Sequence, residues 1–258
     1  MRLWVIATEE TDPYHNLALE ETLMTRFEAS EGELAAQDSL ILYLWQNERT
    51  VVIGRHQVPD RECRLDRLRE DGGHLARRRT GGGAVYHDLG NLNYSFLCRS
   101  GLLPEGTLMG VVRDAVRSLG LRAEISGRND LESEGFKFSG QAWLEKNGVS
   151  LQHGTLMIAV DRSAMAAYLT PPPEKLARHA VDSVRSRTVN LRELSPTLTV
   201  RQCAVSLIGA AADLCGGEVC RVPDGSVTPG ADLIDFYASE AWLYRAQQIY
   251  PQKKKGCF

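Results

Sequence analysis

The sequence lacks an excess of either charge: its 258 residues hold 30 lysines and arginines against 33 aspartates and glutamates, a formal net charge of −3. No global basic field draws it to nucleic acid or to an anionic membrane, and neither is expected as a partner. No run approaches the roughly 18 apolar residues that a membrane helix needs. The opening MRLWVIATEE turns acidic too early for a secretory h-region, so a cytoplasmic protein is expected. The six cysteines (Cys63, Cys98, Cys203, Cys215, Cys220, Cys257) include no CxxC pair, and no histidine lies near Cys215 and Cys220. Structural zinc therefore has no ligand framework, and free thiols are expected. Also missing are a Gly-Lys-Ser/Thr P-loop, a GxGxxG opening a helix, an internal repeat and any low-complexity tract. The one basic run, Lys253 to Lys255, reads as a solvated tail.

What is present is ordinary globular composition, 43% hydrophobic, enough for one large domain with a substantial core. Residues 2–7 read as a strand. Asp12 before Pro13 is an N-cap followed by proline at the first helical position, opening a helix to about Phe27. Residues 39–45, 50–53, 74–80, 84–87 and 91–97 are β-rich, and 60–70 are helix-prone. Leu108, Val111, Val112, Ala115 and Leu119 make one helical stripe, with Gly120 as its stop. Asn147-Gly148 between two β runs, 136–144 and 149–158, signals a hairpin. Residues 162–182 read as a long connection with short helices, and a helix near 199–213 ends at Gly216-Gly217. Hairpins without regular βαβ units predict an α+β fold.

Two stretches carry chemistry. In Arg78-Arg79-Thr80-Gly81-Gly82-Gly83-Ala84-Val85, three successive glycines lie between strands. They are either a tight turn or a place where backbone must approach a ligand, with N–H groups forming an anion-binding concavity. Arg78 offers a planar fork for a carboxylate or phosphate. His87 and Asp88, just beyond, are second-rank neighbours or turn residues. In the hairpin, alternation puts Phe136, Phe138 and Ala142 on one face and Lys137, Ser139 and Gln141 on the other. Lys137 is thus a solvent-facing lysine or a phosphate ligand, and Asn129 and Asp130 are candidates to hold Mg²⁺ between phosphates. A two-residue turn pairs His153 with Ala142 and aims it away from Lys137, unless a bulge at Gly140 or Gly154 breaks the parity.

Together LWQNERTVVIGRHQ, LARRRTGGGAVYHDLGNLNYSF, GRNDL, KFSGQA, QHGTL and SVRSRTVNL, in this order, resemble the lipoate–protein ligase A family, of the superfamily that includes biotin protein ligases and octanoyltransferases. The resemblance runs from about residue 12 to about residue 193. It implies a mixed, largely antiparallel sheet flanked by helices, with a small C-terminal α/β lobe: a catalytic core over 1–194, the lobe of the same domain over 195–250 and a tail over 251–258. It implies ATP-dependent activation of lipoate to lipoyl-AMP and transfer to a lysine of lipoyl carrier domains, those of 2-oxoacid dehydrogenases or the glycine cleavage H protein. Arg78, Thr80, Gly81, Gly82, Gly83, Ala84 and Val85 fall on the loop that holds the lipoyl carboxylate and adenylate phosphate; the family usually has Ser where Thr80 stands. Lys137 matches the essential lysine. Asn129 and Asp130 match the nucleotide and Mg²⁺ region, with Asp130 the metal ligand. Glu20, Trp45 and His153 match the acyl tunnel. Arg185 lies in a segment, about 168–187, that matches a mobile loop over the adenylate.

The chemistry agrees with the resemblance. An apolar acid needs a hydrophobic slot with a cationic end, and the charge developing during adenylation needs fixed donors. Taken singly, Trp45 also reads as core and Glu20 as a surface acid. After Glu240 to Arg245 no accessory C-terminal domain is expected, so a separate small protein completes the ligase or the chain acts as a lipoyl- or octanoyltransferase. A thioester route expects a cysteine just upstream of the lysine motif, and SGRNDLESEGF over 126–136 has none. A biotin ligase has a different glycine–arginine loop. A non-catalytic lipoate-binding subunit is the rival from another class.

Overall fold

Asp12 ends the first strand's exit loop and begins the first helix: its carboxylate accepts from Tyr14 N–H at 2.8 Å, and Pro13 supplies the first turn. The computed structural model describes residues 1–170 and 188–245. Along them run β1 (Arg2–Ala7), α1 (Pro13–Ala29), β2 (Ser39–Trp45), β3 (Thr50–Ile53), α2 (Pro59–Glu62), α3 (Leu65–Glu70), β4 (His74–Arg77), β5 (Val85–His87) and β6 (Asn91–Arg99). There follow α4 (Thr107–Ser118), β7 (Glu124–Ser126), β8 (Asp130–Ser133), β9 (Phe136–Lys146), β10 (Val149–Met157) and α5 (Arg162–Tyr168). After the undescribed segment come α6 (Leu191–Leu194), α7 (Val200–Cys215), β11 (Val219–Arg221), α8 (Ala231–Ala238) and α9 (Glu240–Leu243).

Among the described residues the strands form an eight-stranded sheet, β11-β1-β2-β6-β10-β9-β8-β7, and a three-stranded sheet, β4-β3-β5. In the large sheet β1 pairs parallel with β11 and β2, and every other pairing is antiparallel. The expected mixed, largely antiparallel sheet is therefore found. β2 reads SLILYLW without polar alternation because both its faces are covered. Leu40, Leu42 and Leu44 join the core built with α4 and α7, while Ile41, Tyr43 and Trp45 join the core built with α1.

Thr199 and Gln202 cap α7 reciprocally, and Gly216 ends it at φ 85°. Residues 195–245, the described part of the C-terminal lobe expected over 195–250, add β11 to the large sheet, lay α7 against α4 on one face and pack α8 on α1 at the other. Two arginines, Arg77 and Arg79, fasten this region. Arg77, fully buried, donates to the carbonyls of Leu243, Gly54, Arg55 and Gln57, and accepts from Trp242 Nε1 at 2.9 Å. Arg79 grips Glu21 in two bonds of 2.9 and 2.7 Å and lies over the Phe236, Tyr237 and Trp242 rings. Two expectations shift. The β run at 74–80 stops at Arg77, and the helix-prone 60–70 splits at Cys63-Arg64, where neither short helix has a side-chain cap. Residues 171–182 of the long connection, residues 171–187 of the segment matched to a mobile loop, Arg185 included, and the tail over 251–258 lie outside the described residues.

Candidate active site

Two cross-strand rows make the floor. One runs Trp45–Asn93–Thr155, then Gly140, whose N–H reaches Thr155 Oγ1 at 3.4 Å, then Asp130. The other runs Tyr43–Ser95–His153–Ala142. Over them lies a cavity of 330 Å³, walled by Leu17, Trp45, Val52, Val85 and Ala142 on its apolar part and by Lys137, Asp130, Asn129 and His153 on its polar part. Gly82, Gly83, Ala84 and Val85 line it from the glycine loop.

Lys137 arrives there through a bulge. β8 and β9 pair as Asp130↔Gly140 and Leu131↔Ser139, then as Glu132↔Lys137 and Ser133↔Phe136, so Phe138 is the extra residue. At a bulge two successive side chains share a side. Phe138 enters the core and Ser139 is buried against the Tyr94 hydroxyl at 3.3 Å, while Lys137 turns to the other face. A Cβ on Gly140 would stand 2.8 Å from Lys137 Nζ, and that ammonium sits 2.7 Å from Asp130 Oδ1. This corrects the alternation expected from the sequence: Lys137 does not share a face with Ser139, which is too buried to be a phosphate ligand. It also resolves the parity conflict. His153 does pair with Ala142 across an Asn147-Gly148 turn, with both turn residues at positive φ, yet it lines the same cavity as Lys137. The bulge is at Phe138, unmarked by glycine. Gly154 serves another need, since a Cβ there would lie 2.3 Å from the Tyr94 hydroxyl.

The glycine loop divides by role. Gly82 is required by its backbone, at φ 93°. Gly81 and Gly83 are exposed, and an added Cβ on either would meet nothing within 4 Å. A tight turn therefore explains one glycine of three, and the other two leave open space beside the cavity. Arg78 does not present the free fork expected of it. Its Nε donates to Thr80 Oγ1 at 3.1 Å, Nη1 to Val52 O at 3.1 Å, and Nη2 to Gly81 O and Gly83 O at 2.7 Å each. Burial pushes its pKa down to about 10, which still leaves a cation under the loop. Gly54, which the sequence reading passed over, lets the loop seat: a Cβ there would lie 2.3 Å from Gly82 O.

Glu20 is buried, not a surface acid, and it anchors the side chains matched to the acyl tunnel. Its Oε1 accepts from His153 Nδ1 at 2.8 Å and from Ser95 Oγ, which in turn accepts from Trp45 Nε1 at 3.1 Å. Thr80 Oγ1 lies 2.8 Å from His153 Nε2. Arg78, Thr80, His153, Glu20, Ser95 and Trp45 thus form one hydrogen-bonded chain from loop to floor. Asn129 donates to Gln141 O at 3.3 Å. Among the described residues no cluster of three or more His, Cys, Asp or Glu forms a self-contained metal cage. Cysteine does not line the cavity. Burial pushes the thiol of Cys63 up to about 12 and those of Cys98 and Cys203 up to about 11, which opposes a thiolate nucleophile.

The sequence matches the lipoyl protein ligase A/B catalytic domain over residues 12–212. Lipoate-protein ligase A of Bdellovibrio bacteriovorus is 38% identical over 252 residues, covering 94% of this chain and 72% of the relative. The bi-partite lipoate protein ligase of Thermoplasma acidophilum, studied with its E2 lipoyl domain, is 28% identical with a TM-score of 0.78, covering 95% of this chain and 96% of that one. A lipoate-protein ligase A bound with ATP is 26% identical with a TM-score of 0.78, covering 95% and 100%.

Proposed function

The chain belongs to the lipoyl protein ligase A/B catalytic domain family, and from that premise we propose how its cavity works as a lipoate–protein ligase. The reading rests on one observation: Lys137, Asn129, Asp130 and the Gly82–Val85 backbone converge on a single cavity although the sequence separates them. Lipoate's apolar tail lies along Leu17, Trp45 and Val52, with its carboxylate toward Lys137. A carboxylate oxygen attacks the α-phosphorus of ATP, the bond to the β-phosphate oxygen breaks, and pyrophosphate leaves. The amine of a carrier lysine then attacks the acyl carbon, AMP departs with the electron pair of the broken bond, and the amine loses its proton. No nucleophilic side chain of the enzyme is required. The Lys137 ammonium and the loop N–H groups are fixed donors for the charge that spreads over carboxylate and phosphoryl oxygens. Asp130 is the carboxylate among the lining residues. With Asn129 beside it, Asp130 would hold Mg²⁺ jointly with the nucleotide phosphates, whose charge the ion neutralises.

In this reading the acceptors are lipoyl domains of 2-oxoacid dehydrogenases or the glycine cleavage H protein, and the reaction is cytoplasmic. A small accessory protein is a further partner in this reading, in the manner of the bi-partite ligase of Thermoplasma acidophilum. The test is pyrophosphate release from ATP by the purified chain, with and without lipoate and that partner, followed by the mass of a lipoyl-domain acceptor. Lipoate-dependent release and a lipoylated lysine are expected. Transfer from preformed lipoyl-AMP without any pyrophosphate release would narrow the function to lipoyltransferase.

A further inference from the structure

Three cavity-lining residues, His87, Asn93 and Gln141, carry buried donors that the reaction above leaves unused, and the first two flank Trp45. His87 is a cavity-lining residue whose orientation is set from behind. Asn16 Nδ2 lies 3.0 Å from Glu10 O, 2.9 Å from Gln46 O and 3.2 Å from Asn47 Oδ1, its two hydrogens shared among these acceptors, while its Oδ1 accepts from the Tyr43 hydroxyl at 2.8 Å. With Asn47 Oδ1 accepting, Asn47 Nδ2 is the atom 3.2 Å from His87 Nδ1. Nδ1 therefore accepts, and the ring hydrogen sits on Nε2. Burial, and then the Arg78 charge, hold the ring's pKa down to about 3, so the imidazole stays uncharged. Nε2 is buried and has no partner among the described residues.

Asn93 repeats the pattern. Its Oδ1 accepts from Asn91 Nδ2 at 2.8 Å, which leaves its own Nδ2 and the Asn91 Oδ1 buried with no partner among the described residues. Both donors flank Trp45: Asn93 is its cross-strand partner, and the His87 and Trp45 rings meet edge to face at 6.2 Å. Asn93 and Gly140, which carries the Lys137 ammonium above it, stand two strands apart across Thr155, roughly 10 Å. Native structures rarely leave buried donors unpaired, and such a pair is evidence of an acceptor still to come.

We propose that His87 Nε2–H and Asn93 Nδ2–H form a second donor wall, facing Lys137 across the cavity, that binds an anionic oxygen of the reacting carboxylate–phosphoryl pair. The proposal rests on the ligase reading. Both atoms are closed to solvent here, so the cavity widens as the ligand enters. Donors without charge suit this place, because Lys137 and Asp130 already balance each other. Asn47, Asn16 and Tyr43 are positioning residues, holding His87 in the donating tautomer.

The test compares His87→Phe, which removes the donor, with His87→Gln, which keeps an N–H near the Nε2 position, and with Asn93→Leu. For each, kcat and KM of lipoate-dependent pyrophosphate release are measured. Calorimetry follows binding of lipoate alone, AMP alone and a non-hydrolysable lipoyl sulfamoyl-adenosine. His87→Phe and Asn93→Leu should lower kcat/KM and analogue affinity about 10- to 100-fold, with His87→Gln largely rescued. Weakening confined to lipoate assigns the carboxylate as the bound group, and weakening confined to AMP assigns the phosphoryl. Ring ¹⁵N shifts of the wild type should show Nε2 protonated, and should move when the analogue binds. Should His87→Phe not fold, Asn93→Leu and those shifts decide. A folded His87→Phe with unchanged kinetics and unchanged analogue affinity, or a ring protonated on Nδ1, overturns the proposal. A wild type that releases no pyrophosphate overturns the ligase reading instead, and analogue affinity then still tests the donor wall.

Discussion

At the scale of single residues, Lys137 and His87 make opposite kinds of prediction. Lys137 is half-exposed and ion-paired on one side of the cavity, so removing it disturbs little packing. Lys137→Ala should cut pyrophosphate release by about 100- to 1,000-fold, the loss typical of one transition-state donor, while a thermal melt stays near wild type. Lys137→Arg should recover little, because a planar fork does not replace a compact ammonium. A folded Lys137→Ala variant with near-normal release would sink the mechanism. His87 predicts a pH dependence of stability. Its pKa is lowered in the fold to about 3 from the ordinary histidine value of 6.5, so between these values the unfolded chain binds a proton that the folded chain refuses. Stability is therefore lost as pH falls through this window, by roughly 2 kcal/mol between pH 6.5 and 5. Urea midpoints across that range should fall more steeply for wild type than for His87→Phe. Parallel lines would show that the ring protonates freely.

At the scale of elements, the bulge in β9 decides what the hairpin can do. Gly140→Ala places a methyl group 2.8 Å from Lys137 Nζ, the movable end of a long side chain. Activity should drop at least 10-fold, equivalent to about 1.4 kcal/mol, with Tm little changed. Gly154→Ala meets the Tyr94 hydroxyl at 2.3 Å and Gly140 O at 2.9 Å, a packed ring and backbone, and should instead lower Tm. Equal effects of the two changes on Tm would contradict this division. The hairpin itself was legible, because Asn147-Gly148 fixes the turn, and so were α1 and α7, whose caps Asp12 and Thr199 precede periodic runs. The facing of Lys137 was not. A bulge at Phe138 carries no glycine and leaves no local mark, and one residue of slip reverses every side chain beyond it. Arg78 misled for a related reason: whether a guanidinium is free or spent on its own loop is settled by carbonyls of Val52, Gly81 and Gly83, whose positions composition does not encode. The pairing of Glu20 with His153, distant in sequence, likewise appears only when α1 meets β10.

At the scale of the whole molecule, the loop over the cavity depends on the far end of the described chain. Arg77 binds Leu243 and the 54–57 turn at once, and that turn carries Gly54, on which Gly82 rests. Arg77→Met strips a buried charge from four carbonyl groups and should cost on the order of 3 kcal/mol, lowering Tm by roughly 6 to 12 °C. KM for lipoate should rise in the same variant, because the loop bed loosens without any substrate contact being removed. An unchanged melt and unchanged KM would show that the latch carries no weight. The same latch imposes a schedule on synthesis. Arg77 and Leu243 lie 166 positions apart, and ribosomes add about 5 to 20 residues per second, so roughly 8 to 33 seconds separate the appearance of the guanidinium from that of its last carbonyl. A nascent chain in that interval holds the whole glycine loop but not its footing.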